Sequence, residues 1–314
     1  MGHAGPLAQM FGESVRVVLG LAVLLYGGEK TVEAAVAIAR QVGLPTLLVG
    51  GTLVAVGSSV PEIATAVYAG LYGAGDFVVG HIIGSATSQI TLGIGVVALL
   101  SPLRLERHEV GVYGAGMIIA MGLMALAVRS GRISRLEGSG LVLAYLGFLA
   151  VRLHGDESAA AVERVRDADH PLPRAVAWIL VGFALVAVGG HLLVVNSRAL
   201  AVALGVPSYV LGLVTGLGTT LPEIVIAALA VHRNQGDIAV GTLFGSNITD
   251  PLFSIGVGAV LGGFTIEHAA AATASGGYMI AVSTLVVALF YLTGGVSRRA
   301  ALGCIALYVP TYLL

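Results

Sequence analysis

The sequence predicts an all-α polytopic membrane protein of ten transmembrane helices, arranged as two inverted five-helix repeats with Pro- and Gly-broken core helices. Three observations lead to this fold class. Hydrophobic residues make up 57% of the 314 positions and charged residues only 11%, a composition outside that of soluble domains. The chain contains ten apolar stretches in succession. One segment, in which Pro, Glu, Ser and Thr interrupt an apolar stretch, occurs twice.

The apolar stretches are each comparable to the roughly 20 helical residues that span a hydrocarbon core of about 30 Å. They lie at about 15–40, 44–71, 77–101, 108–128, 136–153, 174–197, 207–231, 238–262, 274–293 and 300–314. No basic patch with a short apolar run and a small-residue cleavage site begins the chain, so we expect the first span to be retained. The single Cys304 excludes disulfides within the chain. The net charge of -1 does not indicate the basic surface that nucleic-acid binding needs.

The most polar long stretch divides five spans from five. We therefore expect a first repeat at 1–153, a cytoplasmic linker at 154–173 and a second repeat at 174–314. The mixed charges of the linker are typical of a solvated connection, although a regulatory ion site there is an alternative.

The duplicated segment covers residues 51–95 and 212–256. At a constant offset of 161 the two copies share 15 identical residues in 45 positions, without a gap. Since each half has five spans, an odd number, the second copy must enter the membrane from the opposite side. Inverted repeats with interrupted helices are typical of secondary transporters, whose sites lie where the copies meet.

The distribution of arginines among the loops predicts the orientation of the chain in the membrane, because cytoplasmic loops are enriched in Lys and Arg. Ten arginines fall on the side of the linker and five on the other side. Both termini are therefore expected outside the cell membrane and the linker inside.

A proline followed by a glutamate interrupts one apolar helix in each copy, as Pro61-Glu62 and Pro222-Glu223. Each proline removes a backbone donor and frees the carbonyl four residues earlier. A kink made only for packing is the alternative reading of the prolines. A carboxylate at mid-membrane costs at least about 2.5 kcal/mol and is functional by default. With no Lys or Arg within the repeat helices, the expected counter-charge is a bound cation or a proton.

Further oxygen donors surround these positions in sequence. They are the carbonyls of Gly57 and Gly218, the hydroxyls of Ser58, Ser59, Thr219 and Thr220, and the side chains of Ser85, Thr87, Ser88, Gln89, Ser246, Asn247, Thr249 and Asp250. Residues 85 and 89, and 246 and 250, are spaced i, i+4 and so share a helix face. This oxygen set suits Ca2+, which takes six to eight oxygen ligands. The absence of a His or Cys cluster from the set argues against zinc or copper.

Other polar residues have simpler readings. We expect Asp76 and Asp237 to cap the helices that follow them, and the lone His81 to be a hydrogen-bonded structural residue. The GxxxG spacings at Gly80 and at Gly241 indicate close helix packing rather than ion contact. In the first span, Glu29, Lys30 and Glu33 fit either a polar cavity wall or an internal ion pair.

The motifs GSSVPE with HIIGSATSQI, and GTTLPE with TLFGSNITD, closely resemble the two alpha repeats of the Ca2+/cation antiporter superfamily, particularly prokaryotic Na+/Ca2+ exchangers. The resemblance implies a Ca2+ site formed by Glu62, Glu223, Ser58 and Thr219. It implies Na+ ligands at Ser59, Ser85, Thr220 and Ser246, with the carbonyls of Ala55 and Gly216. Gln89 and Asp250 would complete the cluster.

The chain departs from the pattern of this superfamily at a few positions. Family members usually have Asn at positions 89 and 86, where this chain has Gln89 and Ala86, and Thr-Ser where it has Ser-Ser and Thr-Thr. The longer amide of Gln89 moves its oxygen by about one methylene, which matters where ligand distances are 2.3 to 2.6 Å. The departure bears on the identity of the coupling ion more than on Ca2+ as the transported ion.

These observations predict a secondary antiporter that exchanges Ca2+ for Na+ by alternating access. Ca2+/H+ exchange is the alternative, because a buried glutamate can release Ca2+ by binding a proton, and a passive cation channel is a third reading. No nucleophile elbow, H-E-x-x-H motif or basic oxyanion group is present, so an enzyme is not expected. We expect no cofactor; the partners are the transported Ca2+ and Na+, or H+, and the lipid bilayer.

Overall fold

The computed structural model describes residues 6–42, 49–155, 172–205, 207–232 and 236–312, and these residues are mostly helical. Most of the predicted linker at 154–173 and the start of the predicted span 44–71 lie outside the described residues. Within them, six helical segments are long and apolar enough to cross a membrane: Met10–Gly27, Gly75–Leu100, Arg107–Val128, Pro173–Leu204, Tyr209–His232 and Ala269–Thr293.

The described residues of the first half form seven α-helices. They are α1 (Pro6–Val42), α2 (Ala55–Ser58), α3 (Val60–Tyr72), α4 (Gly75–Ser88), α5 (Ile94–Leu100), α6 (Arg107–Val128) and α7 (Arg135–Gly155). Two π-helical turns, Val49–Val54 and Gln89–Gly93, lead into α2 and α5. Two short strands follow α5 and α6, namely β1 (Leu103–Arg104) and β2 (Arg132–Ile133).

The second half repeats this order. Its helices are α8 (Leu172–Leu204), α9 (Ser208–Thr219), α10 (Leu221–His232), α11 (Gly236–Thr249), α12 (Ile255–Gly262), α13 (Ala269–Thr293) and α14 (Arg298–Ala306). A π-helical turn, Asp250–Ser254, joins α11 to α12, and a 3-10 turn covers Val309–Tyr312. The strands are β3 (Phe264–Thr265) and β4 (Gly295–Val296).

The strands tie the two halves together at two corners of the molecule. β1 pairs antiparallel with β4 through Leu103 and Val296, and β2 pairs antiparallel with β3 through Ile133 and Phe264. The corners lie at opposite ends of α6, whose 22 residues span about 33 Å at 1.5 Å per residue. That length matches the thickness of a bilayer core.

The outer surface of the bundle is apolar. Large side chains such as Leu126, Leu143 and Val202 are exposed by 66%, 67% and 79%. Patches of this kind are rare on soluble proteins but are expected where lipid replaces water. The polar side chains around the broken helices are instead buried.

Glycines allow the two halves to approach closely at the centre. A Cβ added at Gly80 would meet the carbonyl of Tyr209, and one added at Gly84 would meet the carbonyl of Leu213. Helices α4 and α9 therefore pack backbone to backbone, as the first GxxxG spacing predicts. In the second copy, Gly245 of α11 faces the backbone of Gly51 in the same way.

Asp76 lies in the first turn of α4, where a negative charge suits the positive helix end as predicted, but its predicted hydrogen-bonded cap of that helix is not seen. The Asp76 carboxylate accepts instead from the backbone N–H of His268 at 3.0 Å and lies 2.9 Å from Nδ1 of the same residue. The bond reaches across the fold, so it satisfies the start of α13 rather than the start of α4. The side chain of Asp237 lies outside the described residues, as do those of Glu29 and Glu33, whereas Lys30 lies over the Tyr26 ring.

We predict that Gly84→Ala destabilises the protein, because the new methyl group must displace backbone at Leu213. Overpacking of this kind costs about 1–3 kcal/mol, and the midpoint of thermal unfolding in detergent should fall accordingly. Gly147→Ala in α7 is the matched control, since no atom lies within 4 Å of a Cβ there. Equal melting midpoints for the two variants would contradict the close α4–α9 contact.

Candidate ion-binding site

The two Pro-Glu motifs interrupt their helices at equivalent positions. α2 ends at Ser58 and α3 begins at Val60, while α9 ends at Thr219 and α10 begins at Leu221. Glu62 and Glu223 therefore fall in the first turn of α3 and α10. A carboxylate is favoured near such a helix start by the free N–H groups and the positive end of the dipole. Both side chains are 0% exposed.

Each helix break is covered by a helix of the other half. The Oγ of Ser58 lies 3.3 Å from the Oγ of Ser246 on α11. At the second break, the Oγ1 of Thr220 lies 3.1 Å from the Oγ of Ser85 and accepts from Ser88 at 2.9 Å, both on α4. The predicted hydroxyl ligands are thus brought together across the two halves, although they are 132 to 188 residues apart in the chain.

Gln89 and Asp250 face each other at the first residue of two π-helical turns. Nε2 of Gln89 donates to Oδ2 of Asp250 at 3.3 Å and to Oγ of Ser85 at 3.2 Å. Ser85 in turn donates to Oε1 of Glu62 at 3.3 Å. A continuous polar chain therefore links Asp250 to Glu62. Single π-helical turns are frequent at functional sites because they turn side chains off the regular helix face.

Three carboxylates, those of Glu62, Glu223 and Asp250, are buried near one another. All three are 0% exposed, and they are close enough to interact electrostatically. In the part of the chain that the structure describes, no Lys or Arg pairs with any of them. Like charges close together in a low dielectric repel each other strongly, so a bound cation or a proton would stabilise the cluster.

Several oxygen atoms in this region are buried without a hydrogen-bond partner. They are Oε2 of Glu62, both carboxylate oxygens of Glu223, Oε1 of Gln89, Oδ1 of Asn247 and Oγ of Ser59. Ser58 lies beside Glu223, but its hydroxyl donates to the carbonyl of Ala55 at 3.2 Å. Buried acceptors are normally paired, so this group of unpaired oxygens is an unusual and specific feature.

The two predicted carbonyl ligands already accept hydrogen bonds. The carbonyl of Ala55 accepts from the backbone of Ser59 at 2.9 Å as well as from Ser58. The carbonyl of Gly216 accepts from the hydroxyls of Thr219 and Thr220, at 3.2 and 2.9 Å. A hydroxyl can rotate its hydrogen away, so a cation at either carbonyl would exchange these bonds for coordination.

The donor set fits a hard cation. Carboxylate, amide, hydroxyl and carbonyl oxygens are the ligands of Ca2+, and Na+ is bound by the same classes of oxygen. Over the described ranges, no three His, Cys, Asp or Glu side chains converge tightly enough to hold a metal by themselves. A cation here must therefore draw on hydroxyls, amides or carbonyls beside the carboxylates.

The site is closed in this conformation. None of the predicted side-chain ligands is more than 1% exposed. Ions can therefore enter or leave only if helices move, which is the behaviour of a carrier rather than of an open pore.

Some polar neighbours of the site are absent from the predicted ligand set. Ser254 donates to Oδ1 of Asp250 at 3.5 Å, from the i+4 position of the same helical segment. The i, i+4 spacing from Asp250 could have identified Ser254 as a neighbour of the site. His81 lies between two hydroxyls, 3.2 Å from Thr215 and 3.2 Å from Thr219, so it is a hydrogen-bonded structural residue as expected. It also positions Thr219, a role that no local pattern could indicate.

Known proteins with similar sequences identify the family. The sequence pattern described as sodium/calcium exchanger protein matches residues 14–154 and 174–313. The chain belongs to the sodium/calcium exchanger family. The protein CaxA of Alkalimonas amylolytica is 30% identical over 308 residues, which are 95% of this chain and 96% of that protein. The sodium/calcium exchanger MaX1 of Methanosarcina acetivorans is 26% identical, over 90% and 92% of the two chains.

A solved structure has the same fold. The sodium-calcium exchanger NCX_Mj, soaked with 10 mM Na+ and 10 mM Sr2+, superposes with a TM-score of 0.68 at 25% identity and covers 96% of this chain and 98% of that one. Together with the family match, this makes the chain a multi-pass membrane antiporter of cations including Ca2+. A passive channel is excluded, and the family is one of transporters rather than enzymes.

We predict that Ca2+ stabilises the protein against heat by relieving repulsion among the buried carboxylates. At 100 times the dissociation constant, binding contributes about 2.7 kcal/mol, seen as a raised midpoint of thermal unfolding. Glu223→Gln should abolish most of this gain while raising the midpoint measured in chelator. Glu267→Gln, an exposed carboxylate, is the control and should respond to Ca2+ like the wild type. A Glu223→Gln protein with an undiminished Ca2+ response would exclude Glu223 as a ligand.

Proposed function

We propose that this protein exchanges Ca2+ for Na+ by alternating access at a site in the middle of the membrane. The observation that carries the proposal is the group of three buried carboxylates at the meeting point of the two helix breaks, two of which, Glu62 and Glu223, have oxygens without a hydrogen-bond partner. In this proposal, ten transmembrane helices form two inverted repeats, at 1–153 and 174–314. Both termini lie outside and the linker lies inside.

The proposed Ca2+ ligands are Glu62, Glu223, Ser58 and Thr219, which are the carboxylates and hydroxyls that flank the two helix breaks. The proposed Na+ ligands are Ser59, Ser85, Thr220 and Ser246, with the carbonyls of Ala55 and Gly216. The contacts Ser58–Ser246 and Ser85–Thr220 bring the two sets close together, and each pair also lies beside a glutamate, Glu223 or Glu62. Shared carboxylates would make the two loads compete, and competition couples their transport.

The packing of the long helices supports a carrier mechanism. α1 and α8 pack tightly against each other, with Gly20 against the backbone of Leu193 and Gly189 against that of Leu24. This pair borders the breaks on one side, since Gly218 faces Leu21 of α1. Movement of the α1–α8 pair past the broken helices would open the closed site to one face at a time.

Two relatives support Na+ as the counter-ion, since both MaX1 and NCX_Mj are sodium–calcium exchangers. Proton exchange is the competing function, and Gln89 is the observation that favours it. Its amide is one methylene longer than the Asn usual in the family and donates to Asp250, which changes the ligand distances on which Na+ binding depends.

Transport into liposomes tests the proposal. We expect 45Ca2+ uptake driven by an outward Na+ gradient at equal pH, and no uptake driven by a pH gradient in Na+-free buffer. Glu62→Gln should lower the rate at least about 100-fold, because a carboxylate ligand that is buried and charged contributes several kcal/mol. Glu267→Gln should transport normally. Uptake driven only by the pH gradient would replace Na+ with H+ as the counter-ion, and normal uptake by Glu62→Gln would overturn the site.

The hydroxyl of Thr220 gives a separate test of the Na+ ligands. Thr220→Val keeps the shape of the side chain but removes the oxygen that lies against Ser85 and Ser88. Loss of one buried polar partner costs about 1–3 kcal/mol, so the Na+ concentration for half-maximal exchange should rise about tenfold or more. Ca2+ binding without Na+ should change less. Thr284→Val, on the exposed side of α13, is the isosteric control; an equal effect on Ca2+ and Na+ would contradict the division of ligands.

A further inference from the structure

The β1–β4 corner contains a groove that the exchange site does not use. It has a volume of about 400 Å3 and is lined by residues including Leu103, Arg104, Leu289, Thr293, Val296 and Ala300. The groove lies where α5 and α13 end and α6 and α14 begin. It is therefore at the end of membrane-spanning segments, at the depth where lipid headgroups meet acyl chains.

Arginines concentrate at this corner. Arg104 lines the groove, Arg298 donates to the carbonyl of Leu100 at 3.2 Å, and Arg107 and Arg299 are exposed within a few residues of them. Nearby, Arg152 pairs with Glu109 at 3.4 Å. Against these five arginines, the side chains that the structure describes at this corner include two acidic residues, Glu106 and Glu109, which leaves three positive charges in excess among them.

The β2–β3 corner has the same backbone pairing but not the same charge. Its three arginines, at 129, 132 and 135, are balanced by three acidic residues, namely Asp76, Glu137 and Glu267. Asp76 bonds to His268, and Glu137 accepts from Ser134 at 2.7 Å. The strand pairing therefore does not require a basic surface. The positive excess at β1–β4 agrees with the arginine bias that predicts this side to be cytoplasmic, and it places positive charge beside the groove.

Exposed leucines lie within two residues in the chain of those that line the groove. Leu100 is 57% exposed, Leu292 is 74% exposed and Leu302 is 62% exposed. A ligand for this place needs a negative headgroup for the arginines and hydrocarbon for the leucines. Arg binds phosphate in a bidentate manner, and basic pockets between transmembrane helices bind anionic lipid headgroups.

We infer that the β1–β4 groove is a binding site for an anionic phospholipid, with its phosphate at Arg104 and Arg299 and its acyl chains along Leu100 and Leu292. The inference is independent of the counter-ion and of which face is cytoplasmic. Its occupant would join α5 to α14, and so the end of a broken core helix to the last helix of the chain.

Native mass spectrometry of the purified full-length protein with added phosphatidylglycerol or phosphatidylcholine tests the site. We expect the wild type to bind phosphatidylglycerol preferentially. Each arginine near a membrane surface contributes about 1 kcal/mol, so Arg104→Gln with Arg299→Gln should weaken binding about 30-fold. The control, Arg129→Gln with Arg132→Gln, removes the same charge from the β2–β3 corner and should bind like the wild type.

A second variant separates the groove from general electrostatics. Ala300→Phe fills the groove without changing charge and should also weaken phosphatidylglycerol binding, with unaltered Ca2+ exchange in phosphatidylcholine liposomes. Equal losses at the two corners, or undiminished binding by Ala300→Phe, would overturn the inference. Competition by inorganic phosphate at equal concentration would also overturn it, because the site would then bind a free anion rather than a lipid.

Discussion

The structure depends on the burial of negative charge in a hydrocarbon environment without a basic partner. Glu62, Glu223 and Asp250 are all fully buried, and desolvating an ion costs several kcal/mol even after relaxation. A Lys or Arg in the site would remove that cost permanently and leave nothing for a transported cation to do. The absence of such a partner among the described residues is therefore the condition for transport, since the carboxylates favour whichever cation or proton can reach them.

This constraint also explains the form of the backbone around the site. An interrupted helix in a membrane must satisfy its free groups internally, because no water is available. Here backbone N–H groups at the ends of α2 and α9 bond to the carbonyls of Gly57 and Gly218. The hydroxyls of Ser58, Thr219 and Thr220 donate to the carbonyls of Ala55 and Gly216, which also accept from the backbone. In the proposed site a cation at these two carbonyls would compete with hydroxyl donation, and loading would then change internal hydrogen bonds as well as charge.

Much of this arrangement could be predicted from sequence, because aligning the two copies of the duplicated segment shows which residues occupy equivalent positions. The offset of 161 pairs residue 62 with 223 and residue 89 with 250, and the helix breaks fall beside both Pro-Glu motifs. Contacts between the halves carry no such signal. Asp76 follows Gly75 at a helix start, a pattern typical of capping, yet it bonds to a residue 192 positions away. His81 likewise reaches Thr215 and Thr219 only because glycines bring α4 against α9. Such pairings follow from the packing of whole helices rather than from local spacing.

The duplicated backbone carries side chains that are not duplicated, and the difference is greatest where it affects charge. At equivalent positions of the two π-helical turns, one copy supplies Asp250 and the other Gln89, whose amide donates to that carboxylate. Two carboxylates at 4 Å would repel by about 4 kcal/mol at an effective dielectric constant of 20, whereas the amide makes the same contact attractive. The pair therefore holds together without an ion between its members. A site built this way can close when not all of its ions are bound. The half of the site at Asp250 then carries a negative charge that an ion can neutralise, whereas the half at Gln89 carries none.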